Sequence, residues 1–150
     1  MLGSLSRKLR IFGFDTLYSK EGTDDEMIRI VRDQGRILLT ADVALWERLT
    51  AIGGDALLVK GADDRSRMSS LLGVPGFSAR LALGESRCSV CNGELEKVAR
   101  RVAVASLSSG QARHRYYYRC TACGKLYWHG KHWERLRRLS YQLKERKRLT

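Results

Sequence analysis

The chain has 150 residues, 43% of them hydrophobic, with four Cys, one Pro and 28 Lys+Arg against 16 Asp+Glu, a formal charge of +12. That is one ordinary domain, or one small domain plus a module too small to fold unaided. The apolar content excludes wholesale disorder, and no apolar run approaches the ~20 residues that cross a bilayer, which excludes a helical membrane protein.

Taking the elements in chain order, Met1 to Arg10 is basic but is followed by no apolar stretch with a small-residue cleavage site. It is therefore not read as a secretory signal, and a cytoplasmic protein is expected. Leu5, Leu9 and Phe12 recur at helical spacing, with Arg7, Lys8 and Arg10 assigned to other faces, which predicts a short amphipathic helix ending at Gly13. Thr16-Leu17-Tyr18 reads as a brief strand and Glu21-Gly22 as a loop. Thr23 and Glu26 fit a capping box, and Met27, Ile30, Val31 and Gln34 follow at i, i+3, i+4 and i+7, so a helix is predicted up to Gly35.

Arg36 to Thr40 is a continuous apolar run bounded by turn residues, the pattern of a parallel strand buried on both faces. A helix from Val43 to Ala51, a strand from Ala56 to Val59 and a helix from Arg65 to Leu72 complete an alternating order. Such alternation predicts an α/β domain around a mostly parallel sheet. A doubly wound fold normally opens on a strand, whereas this sequence opens on residues that enter a helix. Either the sheet lacks a strand or the biological start lies upstream. Gly73 to Glu85 holds the only Pro and reads as a linker.

Composition changes there. Residues 1–84 carry 12 Lys+Arg and 11 Asp+Glu, a balance of +1, whereas residues 85–150 carry 16 and 5, a balance of +11, and all four Cys. A boundary near Gly84 follows, giving an α/β domain at 1–84 and a basic, cysteine-bearing module at 85–150. So dense a positive charge points to a polyanion, of which nucleic acid is the commonest in the cytoplasm. Arg113 to Arg119 interleaves Arg with Tyr, including Arg115 and Tyr117, so its rings are available either to stack on bases or to pack a strand. Trp133, Leu136, Ser140 and Leu143 lie along one side of a predicted C-terminal helix, and Arg135, Arg137, Arg138, Lys144, Arg146, Lys147 and Arg148 cover much of the rest. Arg113, Arg115, Tyr117, Arg119, Lys131, Arg135 and Arg138 are the candidate RNA contacts.

Cys88-Ser-Val-Cys91 and Cys120-Thr-Ala-Cys123 are two Cys-x-x-Cys pairs, each followed within two residues by Gly. Each can present two thiolates through a tight turn, and four complete a closed, structural zinc site at ~2.3 Å, the spacing of a zinc ribbon. Disulfides or a redox pair are the competing uses, though an intracellular chain keeps its thiols reduced. His129 and His132 stand close behind, but with four Cys available they read as surface or RNA-facing groups.

In an open α/β sheet the ligand crevice lies beyond the carboxyl ends of the strands. Asp24 and Asp25 follow the Leu17 segment and Asp42 follows Thr40. Such carboxylates either hold a catalytic Mg²⁺ or Mn²⁺ or cap helix N-termini.

Two stretches resemble a known family. Met1 to Tyr18 with Asp25-Glu26 and Gly35 to Asp42, and the ribbon segment Cys120 to Glu134, are similar to the Mut-seven C-terminal RNase domain, a branch of the PIN-like nucleases that usually ends in a zinc ribbon. The resemblance implies a PIN-like three-layer α/β/α sandwich, a zinc ribbon and a basic C-terminal helix, cutting RNA by divalent-metal hydrolysis. It implies metal-binding acids at Asp25, with Asp24 beside it, and at Asp42; Asp15 matches a family position too, but because it precedes its strand it is expected to have a structural role. It also implies an opening strand ending in Asp ahead of Met1, and an Arg where this sequence has Ala41. The expectations are thus a metal-dependent ribonuclease, or a catalytically deficient RNA-binding or ribosome-associated protein on the same scaffold. A third is a module whose basic helix meets an acidic protein.

Overall fold

A computed structural model describes residues 2–77 and 83–149. The chain is a mixed α/β protein of two compact units, Met1–Leu5 with Tyr18–Leu71 and Ser6–Leu17 with Leu72–Thr150. Among the described residues no helix is long and apolar enough to cross a membrane.

Helix α1 (Gly3–Ile11) opens the chain, and Leu5, Leu9 and Phe12 are buried as the apolar spacing requires, with Ile11 buried beside them. It closes in a Schellman turn: Phe14 N–H donates to Leu9 O, Gly13 N–H donates to Arg10 O, and Gly13 has φ +92°. The sequence pattern failed at one residue of this helix. Arg10, placed on an outer face by periodicity, is buried.

In the first unit α2 (Asp24–Gln34) starts with the predicted capping box. Glu26 N–H donates to Thr23 Oγ1 at 3.3 Å, and the Glu26 carboxylate accepts from Thr23 N–H at 2.8 Å. Gly35 ends the helix in the left-handed conformation, φ 60°. Its buried stripe is Ile28 and Val31, while Gln34 is exposed, because a primary amide in the last turn stabilises more in water than against a core. Strand β1 (Leu38–Thr40), α3 (Val43–Ala51) and β2 (Ala56–Leu58) follow, and the two strands pair in parallel with Leu38 opposite Ala56 and Thr40 opposite Leu58. Ile28, Val31, Leu45 and Leu49 form a core on which Leu38 and Ala56 pack. The indole of Trp46 donates to Ala56 O, tying α3 to β2. Short α4 (Asp64–Ser70) is capped by Asp63.

Two strand expectations need correction. Residues 16–18 form no strand: Thr16 N–H donates to the Asn92 side chain and Thr16 O accepts from Arg10, so side chains take the groups that a ladder would use. The strand expected from Arg36 begins only at Leu38, and Ile37 is 53% exposed, so the apolar run is not buried throughout. The expected linker is partly outside the described residues. Of the rest, Phe77 stacks on Phe14 at 5.3 Å and Leu83–Glu85 form a 3₁₀ turn.

In the second unit β3 (Leu95–Val98), α5 (Arg100–Val104), β4 (Tyr117–Cys120) and β5 (Leu126–Trp128) precede the long α6 (Lys131–Leu149). The three strands make an antiparallel sheet in the order β3-β4-β5, with Lys97 opposite Tyr118 and Tyr118 opposite Tyr127. On α6, Leu136, Ser140 and Leu143 are buried at i, i+4 and i+7, as the apolar side predicted, and the described basic residues are exposed.

Candidate metal centre and nucleic-acid interface

The Sγ atoms of Cys88, Cys91, Cys120 and Cys123 all lie within 4.8 Å of one another. Cys88 and Cys123 approach to 3.6 Å and Cys91 and Cys120 to 3.4 Å. These separations exclude S–S bonds, which need ~2.05 Å, and suit four thiolates around one ion, which stand about 3.8 Å apart at Zn–S ~2.3 Å. The donor set fits a soft, tetrahedral divalent ion. Each pair is presented by the same turn: Asn92 N–H donates to Cys88 O, and Gly124 N–H donates to Cys120 O. Asn92 (φ 69°) and Gly124 (φ 76°) are the matching left-handed residues, Asn being one of the few side chains that tolerate it. Gly93 has another duty. A Cβ there would stand 2.8 Å from Cys120 Sγ and 3.3 Å from Cys91 Sγ, so only Gly lets the backbone pass the thiols.

The first knuckle is anchored by residues that periodicity did not single out. Buried Arg10 donates from Nε to Thr16 O at 2.8 Å and from Nη1 to Ser89 O and Val90 O at 3.1 and 3.0 Å. Arg87 N–H donates to Arg10 O, and Ser86 Oγ donates to Ile11 O. Asn92 Nδ2 donates to Asp15 at 2.6 Å. That contact gives Asp15 the structural role expected of it. Tyr127 Oη accepts from Ser89 N–H and lies 3.0 Å from Cys88 Sγ.

Burial acts to raise the Cys88 pKa, but hydrogen bonds from Tyr127 and from the Cys91 and Val90 amides outweigh it, and the value falls to about 6. For Cys123 the Lys125 amide pulls the other way, yet desolvation and the three neighbouring thiols push it up to about 12. Tyr127 is held protonated by its burial and by Cys88. Four thiols this close cannot all ionise without a cation to offset the charge.

The acids are differently placed. Asp24 and Asp25 lie exposed in the first turn of α2, and Asp25 pairs with Arg48 at 2.5 Å. Exposed Asp42 caps α3, its Oδ1 accepting from Leu45 N–H at 3.1 Å. Among the described residues the four cysteines are the one group of three or more potential metal ligands, and Asp24, Asp25 and Asp42 do not form another.

Of the candidate RNA contacts, Arg113, Arg115, Lys131, Arg135 and Arg138 are exposed and Arg119 is half-buried. Tyr117 is different. It is 0% exposed, its Oη donates to Gln111 O and accepts from His114 N–H, and its ring packs beside Trp128. Alternation along β4 explains this: Tyr117 faces inward and Tyr118 points to the opposite side, where Tyr116, just ahead of the strand, also lies against Lys97. Lys97 Nζ sits 4.3 Å over the Tyr116 ring and the Arg115 guanidinium 5.2 Å from it. His129 stacks on Trp133 at 4.7 Å and lies 6.4 Å from Tyr118. Burial, with Arg137 and His114 nearby, holds the His129 pKa below its usual value.

Residues 1–140 match the model of the family described as the Mut7-C RNAse domain. The comparison with curated proteins gave no match, and neither did that with solved structures.

Proposed function

The chain belongs to the Mut7-C RNAse domain family, and from that premise we propose that it is a divalent-metal-dependent ribonuclease of the PIN-like class whose zinc ribbon grips RNA. The single observation that carries the reading is the family match over residues 1–140, which spans both the acids and the cysteines. The parallel β1–α3–β2 unit, with α2 and α3 packed on the face of Leu38 and Ala56, supports the sheet and one helical layer of the expected α/β/α sandwich. Four clustered thiols and the antiparallel sheet support a structural zinc ribbon, in which four thiolates would fill every position of the ion and leave none for substrate. The family match implies Mg²⁺ or Mn²⁺ at Asp25, with Asp24 beside it in sequence, and at Asp42, whose carboxylate oxygens are the donors such ions take, although among the described residues the three form no cluster of ligands. The bound ion supplies charge neutralisation at the scissile phosphate and an acidified water. Asp42 retains one carboxylate oxygen beyond its helix cap. The exposed Arg and Lys side chains of the second unit bind phosphates.

A second reading has an observation of its own. Asp25 is paired with Arg48, Asp42 caps α3, and the three acids form no cluster of ligands. On that reading the protein binds RNA without cutting it. The test is cleavage of labelled RNA by the zinc-loaded chain with Mn²⁺, with Mg²⁺ or with chelator, beside Asp42→Asn. Metal-dependent cutting, reduced at least ~100-fold in Asp42→Asn while binding is kept, is the expected result. Cutting that persists in the variant removes Asp42 from the site. Binding without any cutting favours the second reading.

A further inference from the structure

We infer that the face of the β3-β4-β5 sheet carrying Tyr116 and Tyr118 is a stacking platform for single-stranded RNA, with the bases laid on its rings and the phosphates on the cations beside them. The inference rests on the RNA-binding reading above and gives it a surface, a strand state and residues.

The surface follows from register. Residues opposite one another in a sheet share a face, so Lys97, Tyr118 and Tyr127 lie side by side across three strands, and Tyr116, two residues before Tyr118 and just ahead of β4, is brought to the same side by its contact with Lys97. Two such residues are ~6.8 Å apart along a strand, a step that an extended nucleotide chain can follow with one base per ring. Tyr116 is 36% exposed and Tyr118 half-buried, whereas Tyr117 between them is sealed. The row continues from Tyr118 to the His129 and Trp133 pair at the start of α6.

Cations sit over the rings, so a base that stacks on Tyr116 takes the place of a cation there, and that cation is then free to meet a phosphate. Lys97 and Arg115 lie against Tyr116, and Lys125 stands 5.7 Å over the ring of Tyr127. Aromatic faces interleaved with positive charge suit a polyanion that also offers flat faces of its own. A duplex does not, because its bases are stacked on one another and its edges are held in grooves. An acidic protein would engage the cations but leave the rings without a matching partner. The balance of +11 over residues 85–150 supplies the complementary charge.

The test uses the full zinc-loaded chain, a labelled oligouridylate of about a dozen nucleotides and an RNA duplex of the same length, in about 0.1 M salt with chelator-free buffer lacking Mg²⁺ and Mn²⁺. The single strand is expected to bind more tightly and to quench tryptophan fluorescence. Tyr116→Ser and Tyr118→Ser are each expected to weaken it about tenfold, with Tyr116→Phe and Tyr118→Phe restoring it, since the ring and not the hydroxyl stacks. Unchanged single-strand binding in both Ser variants, or equal binding of duplex and single strand, overturns the platform and leaves RNA binding by the module standing. No binding of either RNA by the unaltered chain overturns the RNA reading itself. Should a Ser variant lose its fold, the fluorescence of the unaltered chain decides: binding without quenching overturns the platform.

Discussion

Cys88 and Cys123 show how one cluster sets two thiols of identical chemistry far apart. The hydroxyl of Tyr127 and two backbone amides hold Cys88 down at about 6, and three neighbouring thiols hold Cys123 up at about 12. At neutral pH a metal ion therefore finds Cys88 largely ionised and must displace a proton from Cys123. Metal affinity is expected to fall as pH falls, most steeply below about pH 6 where Cys88 also protonates. Competition with a chromophoric chelator between about pH 5 and pH 8 checks it, and an affinity flat across that range would refute it. Tyr117 carries the complementary lesson about residue identity. Three consecutive tyrosines look equivalent in sequence, yet the middle one is sealed in the core while Tyr118 is half-buried and Tyr116 exposed on the other side.

Among the elements, α1 is the one whose role exceeds its sequence pattern. Its apolar positions and its Gly13 stop were readable from spacing alone. What spacing concealed is that Arg10 reaches Thr16, Ser89 and Val90 carbonyls, the last two within the first knuckle. Amphipathic periodicity treats every Arg as solvent-facing, and only the partner carbonyls, up to 80 residues away in sequence, make burial of this one favourable. Arg10→Met keeps the length of the side chain and leaves those carbonyls without their donor. A loss of about 3 kcal/mol in urea unfolding of the metal-loaded chain is expected, with weaker metal retention. A loss no larger than that of the exposed control Arg7→Met would show that the three hydrogen bonds contribute little.

For the whole molecule, the two compact units carry different kinds of support. The first has an apolar core around Leu49, while the second gathers its sheet around four thiols. Chelation is therefore expected to remove hydrogen-exchange protection from Tyr117 to Cys120 while leaving that of Ile28 and Leu49 in place. Equal loss in both would mean that the units unfold as one. Much of this was legible beforehand. Resemblance over both halves pointed to the family and the two Cys-x-x-Cys pairs to the metal ligands, while local signals determined the capping box at Thr23, the helix stops at Gly13 and Gly35, and the buried side of α6, because caps, turns and periodicity act within a few residues. Tertiary structure alone decided what spans the chain: that Thr16 gives its backbone groups to Arg10 and Asn92 and not to a strand, that Gly93 clears Cys120, that Asp25 meets Arg48, and that Tyr116 and Tyr118 share a face with Lys97. These contacts join residues distant in sequence, and no local propensity encodes the partner that makes a buried charge or a close approach favourable.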